Sequence, residues 1–238
     1  MRFVIHDSPD GASGFKDAAN AAGPLAAASP AAVKPGRPTR EQAQARHAEL
    51  LDRALDHFLE RGFEQATIEA IAADVSMTKR TVYARYSDKA ALFMAAVRRG
   101  IEKLELAPER IAATRAEDLA ETLGNIARLR IDLVATEQGQ KLQRIVNTES
   151  YRFPAIFTMY YELATQPTVQ FLADLLAEES ARGELAIDDP SLAANVFLSM
   201  VVSGPVRFIL SGNPLRPQEV ERRIAFGVTL FLQGARPR

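Results

Sequence analysis

The chain has 238 residues, 47% hydrophobic and 25% charged, which is the composition of an ordinary globular protein. It has no cysteine, which excludes a disulfide framework and a thiolate zinc site. Its formal net charge of −1 excludes a polycation, so any affinity for nucleic acid must come from a local patch.

The chain opens with "MRFVIHDSPDGASG", whose apolar run is too short for a signal peptide. No uncharged run approaches the roughly 18 apolar residues needed to span a bilayer, so the reading is a soluble, cytoplasmic protein without a membrane partner. Residues 1–38 are rich in Ala, Pro, Gly and Ser and cannot bury enough surface to offset their ordering entropy. They read as a disordered tail ending in a basic arm, "KPGRPTR", kept extended by Pro35 and Pro38.

A helical period begins near Arg40, with Leu51, Leu55 and Phe58 on one face and Gly62 as C-cap candidate. Thr67 stands at an N-cap position before the short helix "IEAIAADV". Ser76 and Met77 make a turn, and Thr78 opens "KRTVYARY". Ser87 and Asp88 cap a longer helix whose stripe is Phe93, Val97, Ile101 and Leu104. Pro108 marks a boundary. Helices follow over 116–136, with Thr122, Ile126, Leu129 and Leu133 on one face, and over "GQKLQRIVNTES". The stretch from Arg152 to Gly183 gives one or two helices, with Pro154 near the first position and Pro167 as a kink or restart. Asp189 caps an apolar helix with Pro190 at its first position, and "PQEVERRIAFGVTLFLQG" closes the chain. The fold class is all-α with about nine helices. The expected organisation is a tail over 1–38, a helix-turn-helix domain over 39–104 and a helical domain over 105–238.

Two short helices about a tight turn, residues 67 to 86, form a helix-turn-helix whose second helix suits a DNA major groove. Lys79 and Arg80 lead that helix, where cations oppose the helix dipole, a cost that a polyanion partner explains. Thr81 can reach a base edge, and Tyr83 and Tyr86 can reach phosphates. Any one of these side chains alone is ordinary on a solvated or half-buried helix face; the constellation points to DNA.

These residues resemble the DNA-binding domain of the tetracycline-repressor (TetR) family, whose pattern runs roughly T-x-x-x-I-A-x-x-A-G-V-S-x-x-T-L-Y-x-x-F-x-x-K-x-x-L. The chain carries Thr67, Ile71 and Ala72, then "VSMT" over the A-G-V-S positions. Thr81, Val82, Tyr83, Tyr86, Lys89 and Leu92 follow at the same spacing, and the likeness covers residues 41–92. Two positions depart from it: Val75 replaces the small alanine and Ser76 the turn glycine. If Ser76 needs positive φ, it is strained by roughly 1 kcal/mol relative to glycine.

The resemblance implies that Lys79, Arg80 and Thr81 read bases or adjacent phosphates, and that Thr67, Thr78, Tyr83, Tyr86 and Lys89 hold the DNA backbone. The arm, with Arg37 and Arg40, either lies in the minor groove or on flanking phosphates, or is a plain linker. The resemblance also implies a homodimer through residues 190–211 and 217–234, with Ser203 and Gly204 allowing close helix approach. Its recognition helices would lie roughly 34–36 Å apart on a palindromic operator. An unidentified small-molecule effector would bind in the second domain and release the DNA. Repression follows from blocking a promoter, and activation stays open. Candidate effector-pocket residues are Ile126, Arg130, Phe153, Phe157, Tyr160, Tyr161, Phe171, Phe197 and Met200. Each aromatic also fits ordinary core packing, and Arg130 also fits snorkelling to solvent. "IVNTESYRFPAIFTMYYE" resembles the C-terminal domain of one regulator subgroup and names no ligand.

An enzyme is not expected. His6 lies in the tail, and His47 and His57 are too far apart for an i, i+4 metal pair. No G-x-S-x-G, P-loop or G-x-G-x-x-G occurs, and no cofactor or metal is implied. A helical interaction protein that has lost DNA binding is the other rival, against which Lys79, Tyr83 and Lys89 stand.

Overall fold

The computed structural model describes residues 39–237; the tail, with Arg37 and His6, lies outside the described residues. The described residues are mostly helical and include no strand. In chain order the helices are α1 (Arg40–Gln65), α2 (Ile68–Asp74), α3 (Lys79–Tyr83), α4 (Lys89–Glu102), α5 (Pro108–Ala112) and α6 (Leu119–Ala135). They continue with α7 (Glu137–Glu149), α8 (Ala155–Tyr160), a π-helical turn (Tyr161–Thr165), α9 (Gln166–Ala181), α10 (Pro190–Leu210) and α11 (Pro217–Ala235).

Short polar side chains start most of these helices by accepting backbone N–H groups that have no partner within the first turn. Thr39 and Gln42 form a reciprocal capping box at α1. Thr67, Thr78, Asp88 and Asp189 cap α2, α3, α4 and α10, as their positions predict. Gly62 has φ 75° and kinks α1, and the chain continues helically for three residues beyond the expected stop.

The turn between α2 and α3 depends on Ser76, whose φ is 53°. Its N–H donates to the Ala73 carbonyl at 3.1 Å, and the Met77 N–H donates to the Ala72 carbonyl at 2.8 Å. These two bonds are a Schellman motif, which favours glycine at the left-handed position. Ser76→Gly is therefore expected to stabilise the chain by about 1 kcal/mol. Urea unfolding should show the gain as a higher midpoint with unchanged slope.

Two hydrophobic cores form. The first gathers α1 to α4 with α7 and α8, around Leu51, Leu55, Phe93, Val97, Leu142 and Ile156. It therefore continues past residue 104 into the helices that follow. Gly100 permits the α1–α4 contact, because a Cβ there would stand 2.8 Å from Leu55 Cδ2. The second core joins α6, α9, α10 and α11 around Ile126, Leu172, Phe197, Val201 and Ile224. Gly227 admits Val201 in the same way, at 2.8 Å, and brings α11 onto α10. Gly204 meets nothing within 4 Å and faces open space within the chain.

Pro167 offers no N–H to the carbonyl four residues earlier, and the helix opens into the π-helical turn just before it. The expected kink or restart at Pro167 takes this form. α10 corrects the expectation about apolar runs. It spans 21 residues and contains an 18-residue stretch with a mean hydropathy of 1.6, long and apolar enough to cross a bilayer by length and composition. It packs against α9, α6 and α11, and one of its faces stays uncovered.

Candidate nucleic-acid interface and effector cleft

α3 is held by Val82, fully buried, while Lys79, Arg80, Thr81 and Tyr83 are exposed. The Thr78 hydroxyl accepts the Thr81 N–H at 3.1 Å and lies 2.8 Å from the Thr81 hydroxyl. At α2 the Thr67 hydroxyl accepts the Ala70 N–H at 3.2 Å. Lys79 pairs with Glu69 on α2, and its ammonium lies 5.6 Å from the Tyr83 ring centroid. The hydrogen bond and charge of Glu69 raise the Lys79 ammonium, and the same bond lowers the Glu69 carboxyl. Arg40 is exposed at the first residue of α1, and Arg37 lies outside the described residues.

Tyr86 and Lys89 are engaged inside the free protein. The Tyr86 hydroxyl lies 2.5 Å from His47 Nε2 and its half-buried ring packs on the first core. The Lys89 ammonium donates to the carbonyls of Glu64 at 2.9 Å and Ala66 at 3.1 Å, over the Phe63 ring. Lys89 thus closes the C-terminal end of α1, and two of its three N–H groups are committed there.

Burial, then the charges of Arg85 and Arg99, hold His47 below its usual 6.5. A depressed folded value favours the neutral ring. The stabilisation is complete above 6.5 and is lost as pH falls through the folded value. Urea midpoints at mildly acidic and neutral pH should therefore differ less in His47→Gln than in the unmodified chain.

A cleft of about 180 Å³ opens between α6, α7, the π turn and α10. Arg130 and Tyr160 from the predicted set line it. Arg130 is 6% exposed, and its guanidinium donates to the Ala164 carbonyl at 2.5 Å and the Thr165 hydroxyl at 3.4 Å. It does not snorkel to solvent. Burial lowers its affinity for the proton, and the neighbouring Tyr160 opposes that.

The other predicted pocket residues lie elsewhere. Ile126 and Phe197 are buried in the second core, and Phe171 packs against it. Phe153 joins the first core, 4.9 Å from the Phe63 centroid and 5.1 Å from that of Phe93. Phe157 is exposed, and the Tyr161 hydroxyl donates to Asn195 at 3.2 Å. Met200 lies on the uncovered face of α10. Sequence reasoning missed Gln143, Thr165, Ser199 and Ser203 in the cleft wall. The serines carried a signal, an i, i+4 polar pair within an apolar helix.

α10 and α11 share an apolar exposed face. Leu192, Val196, Met200 and Phe208 lie on one helix, Phe226 and Leu230 on the other. A groove of about 470 Å³ runs between them, lined by Met200, Gly204, Pro205, Arg223, Phe226 and Leu230 among others.

Comparison with known proteins places these features. Residues 50–96 match the family described as "Bacterial regulatory proteins, tetR family". Residues 121–234 match "AefR-like transcriptional repressor, C-terminal domain". An uncharacterized HTH-type transcriptional regulator of Mycobacterium tuberculosis, Rv1556, is 29% identical over 143 residues, 59% of this chain. The chain spans 66% of that relative's length. The flavonoid-responsive regulator FrrA superposes with a TM-score of 0.66 at 31% identity, over 82% of this chain and 99% of FrrA. A protein from Mesorhizobium loti described as a TetR-family transcriptional regulator superposes with a TM-score of 0.67 at 24% identity, over 84% of this chain and 100% of its own. A transcriptional regulator from Saccharomonospora viridis, solved in complex with choline, has a similar fold, with a TM-score of 0.57 at 20% identity. It covers 83% of this chain and 100% of its own.

Proposed function

The chain belongs to the TetR family of transcriptional regulators, and from that premise we propose that it is a repressor. In this reading it binds a palindromic operator as a homodimer and leaves it when a small-molecule effector binds. Residues 39–104 carry the DNA contacts and 105–238 the effector and dimer contacts, and the protein works in the cytoplasm.

The observation that carries the reading is the exposed face of α3. Lys79, Arg80, Thr81 and Tyr83 project from a short helix fixed by buried Val82. Arg80 and Lys79 supply charge to phosphates or donors to guanine edges, and Thr81 supplies a methyl or hydroxyl to a base. Thr67, Thr78 and Tyr83 hold the backbone, and Arg40, exposed at the start of α1, reaches flanking phosphates. Tyr86 and Lys89 act chiefly by holding the domain in shape.

The effector half rests on the cleft and on the relatives. FrrA is flavonoid-responsive, and the Saccharomonospora viridis protein was solved with choline. Organic molecules of modest size are therefore the first class to screen. A ligand releases DNA only through its difference in affinity between the two conformations.

Fluorescence anisotropy against the chain's own upstream DNA and a scrambled duplex tests the reading. Sequence-dependent binding with a log–log salt slope of several units is the expected result. Equal, weak binding to both duplexes, and to fragments recovered by genome-wide selection, would overturn it.

A further inference from the structure

Resting on the effector reading above and narrowing it, we infer that the cleft beside α6 takes a one-ring aromatic carboxylate, its charged end on Arg130. Arg130 is nearly out of contact with water, at 6% exposure. A charge removed from water is costly unless it is paired. Here the acceptors are neutral: a carbonyl at 2.5 Å and a hydroxyl at 3.4 Å. The Tyr160 phenol, a neutral group, hydrogen-bonds to the guanidinium as well, and among the described residues no carboxylate does. A guanidinium has five N–H donors in a planar fork, and these three neutral partners leave part of the fork unspent. A neutral side chain would pin the π turn at lower cost, so pinning alone does not account for the charge.

The walls define the rest of the ligand. Val134, Leu198, Val202 and Val206 give an apolar surface for a flat ring. Gln143, Thr165, Ser199 and Ser203 give hydrogen-bonding groups around it. The cleft measures about 180 Å³. A dry cavity of about 150 Å³ holds benzene, so this space fits one ring with a small substituent. The planar fork of arginine matches a carboxylate with two parallel bonds, which a neutral amide cannot reproduce.

The test titrates the purified full chain by calorimetry with benzoate, 4-hydroxybenzoate and benzamide, the neutral counterpart of similar shape. Benzoate or its hydroxy derivative is expected to bind at least roughly tenfold more tightly than benzamide. Arg130→Met should remove that preference, and Arg130→Lys should keep part of it, with circular dichroism reporting whether each variant folds. The comparison of ligands on the unmodified chain stands even if the variants do not fold. Benzamide binding as tightly as benzoate would overturn the inference, and so would binding of none of the three. Operator anisotropy on the same preparation separates the two readings. Intact operator binding without benzoate binding sinks this inference alone, whereas benzoate binding without operator binding sinks the regulator reading.

Discussion

Alanine at both Lys79 and Tyr83 is expected to lower operator affinity by at least about 100-fold while leaving the dimer and the helical content unchanged. Both side chains are exposed, so their removal costs the core nothing. In a symmetric dimer each substitution removes two contacts, so modest single effects are doubled. Lys79 carries a second consequence through Glu69. In the free protein the pair is solvent-exposed and screened, a weak interaction that DNA can displace. Losing Lys79 leaves the Glu69 carboxylate facing the phosphates with its charge uncompensated. Glu69→Gln is the counterpart, and it should strengthen binding to operator and scrambled duplex alike and steepen the salt slope. Anisotropy at several salt concentrations reads all three quantities. Unchanged affinity in the double variant would return Lys79 and Tyr83 to ordinary surface residues.

The features legible in the sequence are those set within a few residues. Thr67, Thr78, Asp88 and Asp189 cap their helices because a short side-chain oxygen reaches an N–H two or three residues on. Ser76 stands where the family pattern has glycine, and its φ is positive. Pro167 interrupts the helical hydrogen bonds as its missing N–H requires. What stayed hidden depends on neighbours far along the chain. Lys89 bonds to carbonyls 25 and 23 residues earlier, and Tyr86 to a histidine 39 residues earlier. No local pattern carries such pairings. Phe153 looked like pocket aromatic surface, and only packing shows it in one cluster with Phe63 and Phe93. The short helix α5 is likewise below what periodicity resolves.

That same packing connects the two halves of the molecule. Phe153 precedes α8 by two residues and touches the rings of Phe63 and Phe93, and Arg152 lies over Phe63 at 4.5 Å. α8 runs directly into the π turn that Arg130 holds from α6. A change at Ala164 and Thr165 therefore reaches the first core along one continuous helical segment, with no intervening loop.

The apolar face of α10 and α11 gives the other large effect. Phe226 is 71% exposed and Leu230 50%, on adjacent turns of one helix. Exposed apolar surface on this scale marks a contact, and in the proposed homodimer a second copy of the chain covers it across the two-fold axis. Each large side chain buried across such an interface contributes about 1.5–3 kcal/mol, and symmetry counts each twice. Phe226→Glu with Leu230→Glu should therefore convert the protein to a monomer in sedimentation velocity. Neither side chain belongs to the second core, so thermal unfolding of the monomer should stay cooperative. Operator affinity should then fall by roughly 10²–10⁴, because the second half-site is no longer held at high effective concentration. A half-site duplex, by contrast, should bind the variant and the unmodified chain alike. If the variant sediments as a dimer, the interface lies elsewhere and the uncovered stripe on α10 needs another occupant, a bilayer surface being the first to examine with vesicles.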